Sequence, residues 1–195
     1  LIFGSNGILG SFTKNYFAKY KSSLYLVNKT NTKSKKSFIK NYSFNSPNFY
    51  KLKRILKITC PDYIFYFISP KIMKSDAKKI NSKLYNLYKY YYVTLFSKML
   101  EIVKKFNKKI YIFYPSTVAL NEKIRSYKYS NEYKITKYLG EKICKKKKTK
   151  NIIPIFYRIG QIKSPQNYNI AGFYEGQSSY VLKKHIDNFI FRSLS

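Results

Sequence analysis

The chain begins with Leu1-Ile-Phe-Gly-Ser-Asn-Gly-Ile-Leu-Gly10, in which three apolar residues run into glycines at positions 4, 7 and 10. A short strand, a glycine turn and a helix in that order leave backbone N–H groups and a helix N-terminus available to a pyrophosphate. The first glycine permits a sharp turn, the second lets the backbone approach phosphate, and the third allows close packing of helix on strand. An ordinary strand-to-helix turn is the alternative reading. The predicted dinucleotide-binding residues of this turn are Gly4, Ser5, Asn6, Gly7, Ile8 and Gly10.

The charge balance offers a rival interpretation, because 39 Lys and Arg against 8 Asp and Glu give a net charge of +31. Such an excess usually suggests nucleic acid or an anionic surface. The lysines are scattered, however, and only Lys145 to Lys148 form a dense run. The chain also holds 22 Tyr and 15 Phe but no Trp, as expected when A/T-rich codons raise lysine and tyrosine together. We therefore interpret most lysines as solvated surface and expect no specific nucleic-acid partner.

Length and cysteine content restrict the class of protein. With 195 residues, 45% of them hydrophobic, the chain can bury the core of one domain. No run is long enough to cross a membrane, and the N-terminus has no secretory pattern. Cys60 and Cys144 form neither a disulfide framework nor a metal-site spacing. We expect a cytoplasmic protein without a metal site, and, because no Met precedes the glycine turn, a fragment with a shortened first strand.

Short apolar runs alternate with helical patterns along the rest of the chain. This order predicts an α/β fold, a Rossmann-like doubly wound parallel sheet with helices on both faces. We place this domain at residues 1–162 and a truncated or minimal C-terminal substrate part at 163–195. The predicted strands are Leu1–Phe3, Leu24–Val27, Phe38–Ile39, Tyr63–Ile68, Ile110–Tyr114 and Ile152–Ile159. The predicted helices carry Leu9 to Tyr20, begin at Pro47, run from Leu84 to Phe106, and span Asn131–Cys144.

Chemistry in such a sheet is expected at the carboxyl ends of the strands. The fifth strand is followed by Tyr114-Pro-Ser-Thr-Val118, which supplies two hydroxyls. The next helix carries Tyr133-Lys-Ile-Thr-Lys137, whose spacing puts a phenol and an ammonium on one helix face. A tyrosine with a pKa of about 10 needs nearby positive charge to act as a base at neutral pH. The alternative interpretation is that Tyr133 and Lys137 form an ordinary solvated pair on the protein surface.

The glycines, the strand-end serine and the Tyr-x-x-x-Lys motif, in that order, resemble the extended short-chain dehydrogenase/reductase family, in its nucleotide-sugar epimerase and dehydratase branch. The surrounding Pro61-Asp62, Gly140-Glu141 and Tyr157-Arg-Ile-Gly160 also match, so the resemblance extends from residue 1 to about 165. It implies an NAD(P)-dependent epimerase, dehydratase or keto-sugar reductase that acts on a nucleotide-activated sugar. A homodimer is a further implication.

The resemblance also implies catalytic roles. Tyr133 would exchange a proton with the substrate, and Ser116 would hydrogen-bond the same oxygen. Lys137 would stabilise the phenolate and hold the cofactor ribose. Thr117 is the alternate hydroxyl if the register is shifted by one residue. Tyr127 and Tyr129 compete with Tyr133, but neither has a lysine four residues later.

Several positions depart from the family pattern. Val27-Asn28-Lys29 stands where NAD-specific members usually end the second strand with an acidic residue, so we expect Asn28 and Lys29 to bind the cofactor and to favour NADP over NAD. Tyr91-Tyr-Val-Thr94 occupies the usual place of an asparagine. Two other functions stay open. One is a noncatalytic, regulatory dinucleotide-binding protein, and the other, ranked lowest because no RNA-binding or helix-turn-helix motif accompanies the charge, is a basic nucleic-acid-binding protein.

Overall fold

A computed structural model describes residues 1–20, 22–30, 36–44, 48–73, 79–121, 129–160 and 178–194. Its centre is a six-stranded sheet in the order β3-β2-β1-β4-β5-β6, in which every neighbouring pair is parallel. The prediction of a doubly wound α/β sheet is therefore confirmed. The strands are β1 (Ile2–Phe3), β2 (Leu24–Asn28), β3 (Ile39–Ser43), β4 (Tyr63–Tyr66), β5 (Ile110–Thr117) and β6 (Ile152–Ile159).

Helices cover both faces of the sheet because successive strand residues point to opposite sides. In β4, Ile64 and Tyr66 pack with the helices of one face, whereas Phe65 packs with those of the other. The first face carries α2, α4 and α5, and the second carries α1 and α6. The helices are α1 (Ile8–Ala18), α2 (Phe49–Thr59), α3 (Ser82–Lys89), α4 (Leu95–Val103), α5 (Asn131–Lys147) and α6 (Ser178–Leu194).

Two strand boundaries differ from the prediction in ways that affect the site. β4 ends at Tyr66, two residues earlier than predicted, and β5 continues to Thr117 instead of ending at Tyr114. The longer β5 follows from its ladder with β6, which runs on to the pair Thr117 and Ile159. The two strand-end hydroxyls therefore lie within the last part of β5 and not in a loop after it.

Other boundaries depend on capping and pairing. The helix predicted to begin at Pro47 is α2, which begins at Phe49 because the Asn48 side chain accepts hydrogen bonds from the first-turn N–H groups of Tyr50 and Lys51. Pro47 itself lies outside the described residues. The third strand extends beyond the predicted residues to Ser43, because every residue of β2 has a partner in β3.

The long helix predicted from Leu84 to Phe106 is interrupted by a π-helical turn at Tyr90–Thr94, which joins α3 to α4. Tyrosines from the neighbouring strands β4 and β5 donate hydrogen bonds to carbonyls of this turn. The Tyr66 hydroxyl donates to the Tyr91 carbonyl (2.7 Å), and the Tyr114 hydroxyl donates to the Tyr92 carbonyl (3.2 Å). Turns of this type occur frequently at functional sites, and this one faces the ends of β4 and β5.

The C-terminal helix α6 lies in the segment predicted to represent a substrate-binding part. Its residues Leu182, Ile186 and Phe189 are buried among the phenylalanines of β4 and β5, so this helix packs as part of the α/β core. Residues 161–177, where a boundary was predicted, lie outside the described part of the chain. Among the helices of the described residues, none has the length and apolarity needed to cross a membrane.

Candidate dinucleotide-binding and active site

A cleft of about 660 Å³ opens at the carboxyl ends of the central strands. It lies between β1 and β4, where the strand order reverses, which is the usual ligand position in an open α/β sheet. Of the residues predicted to bind cofactor or to act in catalysis, every one lines this cleft except Ser5. The predicted phosphate-binding turn and the predicted Tyr-Lys pair are therefore parts of one cavity.

Two glycines of the turn are required by the fold itself. Gly4 has a φ of +74°, and a Cβ there would lie 2.7 Å from the carbonyl oxygen of Phe67. A Cβ on Gly10 would overlap the Gly4 carbonyl and lie 2.5 Å from the Ser5 Cα. Gly7 differs, because its Cβ would meet only the Gly4 oxygen, at 3.5 Å. Packing within the protein does not require a glycine at position 7, whereas close approach of a ligand to the backbone would.

The N-terminus of α1 faces the same space. Gly7 is its N-cap, no side chain caps the first turn, and no acidic residue lies in that turn. The first N–H groups of a helix have no partner within the helix, and the helix dipole places partial positive charge at this end. This helix end thus presents donors and positive potential to an anionic group, and the residues around it fit the pyrophosphate of a dinucleotide.

Asn28, predicted to bind the cofactor, anchors the glycine turn from the end of β2. Its Nδ2 donates to the Ser5 hydroxyl (2.6 Å), and its Oδ1 accepts from the Asn6 backbone N–H (2.9 Å). Ser5 is buried behind the turn, which explains its absence from the cleft wall. Lys29 follows as an exposed residue on the rim of the cleft. The cation at this rim is therefore available to a ligand, whereas both ends of the Asn28 carboxamide are engaged.

The two hydroxyls of β5 have different surroundings. Ser116 donates to Oε1 of Glu141 (2.5 Å), a carboxylate that Arg158 binds through Nε at 2.8 Å and Nη2 at 2.9 Å. The hydrogen bond with Glu141 raises the pKa of Arg158 above its ordinary value. In the sequence, Glu141 and Arg158 stand out only as part of the context that matches the family. The structure joins both to Ser116, so the Ser116 hydroxyl is held in an ion-pair network.

Thr117 lies next to the phenol of Tyr133. Burial raises the pKa of Tyr133 well above its ordinary value, and the nearby Thr117 side chain acts in the opposite direction. Thr117 also accepts a hydrogen bond from the Ala119 N–H (3.2 Å). Of the two hydroxyls, the alternate at position 117 is thus the one whose side chain affects the phenol.

Lys137 is buried on the same side of α5 as Tyr133, so this pair is not a solvated surface pair. Its Nζ donates to the Pro115 carbonyl (2.6 Å) and lies 5.7 Å from the centre of the Tyr133 ring. Burial lowers the pKa of Lys137 to about 7, although Cys144 and Glu141 act to raise it. The site therefore brings together a phenol, an ammonium and a hydroxyl, the groups needed for proton exchange with a carbonyl or hydroxyl.

Sequence reasoning missed the aromatic residues that enclose this pair. Tyr92 stacks on Tyr88 with ring centres 5.8 Å apart, and Tyr133 meets both rings edge-on. Tyr129, a competitor in the sequence, packs against Tyr133 at 5.2 Å, while Tyr127 lies outside the described residues. In a chain with 22 tyrosines, the pattern alone could not identify the rings that meet. The described residues also contain no cluster of His, Cys, Asp and Glu suited to a metal ion.

Comparison with solved structures supports the assignment of the fold. A short chain dehydrogenase from Burkholderia cenocepacia in complex with NADP matches with a TM-score of 0.78 at 8% identity, over 93% of this chain and 79% of that chain. A candidate epimerase from the same bacterium matches at 0.61 and 9% identity, over 82% and 52%. A GalE-like L-threonine dehydrogenase from Cupriavidus necator matches at 0.59 and 16% identity, over 81% and 53%. This chain thus spans about half the length of the last two proteins.

The family comparison is more specific. No curated protein matches the sequence. The model of an NAD-binding family described as male sterility protein matches residues 28–192, which is most of the chain. The nucleotide-sugar branch suggested by the motifs stays a prediction. The chain belongs to the NAD-binding family described as male sterility protein, and its fold is that of a Rossmann-like domain.

Proposed function

We propose that the protein is an NAD(P)-dependent oxidoreductase whose proton-transfer residue is Tyr133. The observation that carries the proposal is the position of Tyr133, Lys137 and Thr117 on the wall of the cleft that also contains Gly7. In this proposal, the phosphate end and the chemical end of the dinucleotide site share one cavity. The bound cofactor would supply or accept a hydride at its nicotinamide ring.

The residues of the chain divide the remaining work. The N–H groups of the first turn of α1 bind the pyrophosphate, which approaches the backbone at Gly7, and Lys137 binds the ribose through a donor not used by Pro115. In reduction, Tyr133 donates its proton to the substrate carbonyl oxygen, and in oxidation it accepts the proton of the substrate hydroxyl. The Lys137 ammonium stabilises the resulting phenolate.

We assign the hydroxyl that binds the reacting oxygen to Thr117, the alternate of the sequence prediction. The sequence favours Ser116, but its hydroxyl donates to Glu141, the carboxylate that forms the ion pair with Arg158. The Thr117 side chain instead lies near the Tyr133 phenol and acts to lower its pKa. A donor beside the phenol can contact the oxygen to which the proton is transferred.

The substrate that we propose is a nucleotide-activated sugar, processed by epimerisation, dehydration or keto-sugar reduction. The motif resemblance and the likeness of the fold to a candidate epimerase support it. We favour NADP as cofactor because Lys29 is exposed at the rim, where the extra phosphate of NADP would attract a cation, and no acidic residue ends β2.

The experiment is a hydride-transfer assay that follows NADPH and NADH absorbance with nucleotide-linked keto-sugars, using the wild type and Tyr133→Phe. We expect the variant to bind the cofactor with nearly unchanged affinity and to lose turnover. Tyr129→Phe is the matched control, since it removes a hydroxyl from the adjacent ring, and it should keep turnover. Full activity in Tyr133→Phe would contradict the mechanism, and turnover of simple aldehydes or ketones alone would contradict the sugar substrate.

A noncatalytic dinucleotide-binding protein is the second candidate. The specific observation in its favour is the burial of Tyr133, which raises the pKa of the phenol well above its ordinary value. For this function we expect cofactor binding that is unchanged in Tyr133→Phe and no hydride transfer to any substrate of the panel.

We also propose a homodimer that buries the outer surfaces of α3 and α5. Leu87 on α3 and Ile135 and Tyr138 on α5 are exposed apolar residues, with 43%, 40% and 46% of their surface accessible. Sedimentation equilibrium of the wild type and of Tyr138→Lys tests this assembly. A monomeric wild type would contradict it.

A further inference from the structure

The Lys137 ammonium is enclosed by aromatic rings. Its Nζ lies 3.9 Å from the centre of the Tyr92 ring, compared with 5.2 Å for Tyr114 and 5.7 Å for Tyr133. Among the described residues, no carboxylate forms a salt bridge with this nitrogen, because Glu141 is paired with Arg158. The ring of Tyr92 is therefore the nearest of the three aromatic faces whose negative potential attracts this ammonium.

Tyr92 is held in this position by contacts at both ends. Its hydroxyl shares a hydrogen bond with the Ser69 hydroxyl beyond β4 (2.5 Å), and its backbone carbonyl accepts from the Tyr114 hydroxyl (3.2 Å). The ring of Tyr88 stacks on it. Tyr92 is only 1% exposed, and it lies in the π-helical turn between α3 and α4. The ring is thus a fixed surface against which an ammonium can be placed.

We propose that Tyr92 is a positioning residue, which holds the Lys137 ammonium in the cleft and favours its protonated form through the face of its aromatic ring. A desolvated cation over a tyrosine ring is attracted by the ring quadrupole, whereas a neutral amine is not. The inference rests on the proposed function, in which a charged Lys137 stabilises the Tyr133 phenolate. It adds to that function a residue that touches neither substrate nor cofactor.

The surroundings of Lys137 have opposing effects on its pKa. Burial lowers its pKa to about 7, while Cys144 and Glu141 on the same helix raise it. Tyr92 faces it from the π-helical turn and Tyr114 from β5. The ring of Tyr92 acts in the same direction as Cys144 and Glu141, so its removal lowers the pKa and leaves Lys137 neutral over a wider pH range.

The test measures the pKa of Lys137 directly, without requiring turnover. In protein with ¹³Cε-labelled lysine, the resonance missing from Lys137→Met identifies Lys137, and its chemical shift is followed against pH. We expect Tyr92→Leu to lower the pKa by about one unit, as a desolvated cation–π contact implies. Tyr92→Phe should keep the pKa near the wild-type value, because the ring face remains. Ser69→Ala is the control for loss of the hydroxyl contact alone.

If Tyr92→Leu does not fold, phenylalanines with one, two and three ring fluorines at position 92 keep the shape while they weaken the quadrupole. We expect the pKa of Lys137 to fall stepwise with each fluorine. A pKa that is unchanged along the fluorine series, or that falls as far in Tyr92→Phe as in Tyr92→Leu, would overturn the inference. If no substrate is turned over, the proposed function fails but this titration still decides the role of Tyr92. Where turnover is found, kcat should fall along the same series with KM unchanged.

Discussion

A glycine at position 7 leaves room for a ligand, whereas a glycine at position 10 is required by packing within the protein. The substitutions Gly7→Ala and Gly10→Ala therefore separate ligand binding from folding. Gly7 has φ of −75° and ψ of 168°, a conformation open to alanine, and its Cβ would meet only one atom, at 3.5 Å. A methyl there points into the cleft and not into the protein. We therefore expect the free energy of unfolding to change by less than about 0.5 kcal/mol, within the range for uncrowded positions.

At Gly10 the added Cβ would overlap the Gly4 carbonyl and lie 2.5 Å from the Ser5 Cα, both of which are backbone atoms. Forcing an extra carbon into a packed site costs about 1–3 kcal/mol or more. The better helix propensity of alanine recovers at most about 1 kcal/mol. We expect Gly10→Ala to lower the free energy of unfolding by about 2 kcal/mol.

Urea unfolding measures stability, and titration of NADPH followed by its fluorescence measures affinity. We expect Gly7→Ala to keep its unfolding midpoint and to lose tenfold to hundredfold in affinity, equivalent to about 1.4 to 2.8 kcal/mol. If Gly7→Ala binds NADPH as tightly as the wild type, the pyrophosphate does not approach the backbone at position 7. If Gly10→Ala is as stable as the wild type, the turn is not packed as described.

Four further outcomes are expected. Thr117→Val should lower kcat about 10²- to 10³-fold, whereas Ser116→Ala should change kcat only a few-fold. Equal losses of kcat in steady-state assays would contradict the assignment of the Thr117 hydroxyl to the reacting oxygen. Lys29→Glu should weaken NADPH binding more than NADH binding in paired titrations, and an equal effect would remove the case for NADP. Burial lowers the pKa of Lys137 to about 7, below the value of about 10.4 in an unfolded chain. The free energy of unfolding of the wild type should therefore increase as the pH rises from 7 towards 10. Urea unfolding at each pH should show a smaller increase for Lys137→Met. Arg158→Met leaves its buried carboxylate partner unpaired and should cost about 2 kcal/mol, and an unchanged melting temperature would contradict the ion-pair network.

The sheet and the two ends of the site could be predicted because their signals are local. Uninterrupted apolar runs mark strands covered on both faces, and the spacing of Tyr133 and Lys137 already fixes them on one helix face. The glycine turn could be predicted because three glycines at regular spacing directly follow an apolar run. These features needed no knowledge of distant contacts.

The remaining features depend on partners far away in the sequence. The π-helical turn is bound by hydroxyls of Tyr66 and Tyr114 from two different strands, and nothing within Tyr90–Thr94 indicates it. The ladder with β6 extends β5 as far as Thr117. Because neighbouring strand residues point to opposite faces, a register shift of one residue decides whether Ser116 or Thr117 lies near the phenol.

The contact of Asn28 with the glycine turn likewise depends on a distant partner, because it joins the end of β2 to the turn that follows β1. The sequence shows an amide where an acidic residue is usual, which suggests a change in ribose binding. The structure shows that this amide holds the turn through Ser5 and Asn6. The packing of α6 against Phe65 and Phe113 was missed for a similar reason, since its apolar residues indicate a buried face but not the surface that covers it.

The central claim is that a dinucleotide binds in the cleft formed by the glycine turn and the Tyr133–Lys137 face. Isothermal titration of NADPH into the wild type, in salt high enough to screen the net charge of +31, tests it most directly. We predict saturable binding of one NADPH per chain, little affected by added salt and competed by NADH. The claim is contradicted if neither dinucleotide shows saturable binding. It is also contradicted if the binding disappears with added salt, as expected for inorganic pyrophosphate that binds to scattered lysines.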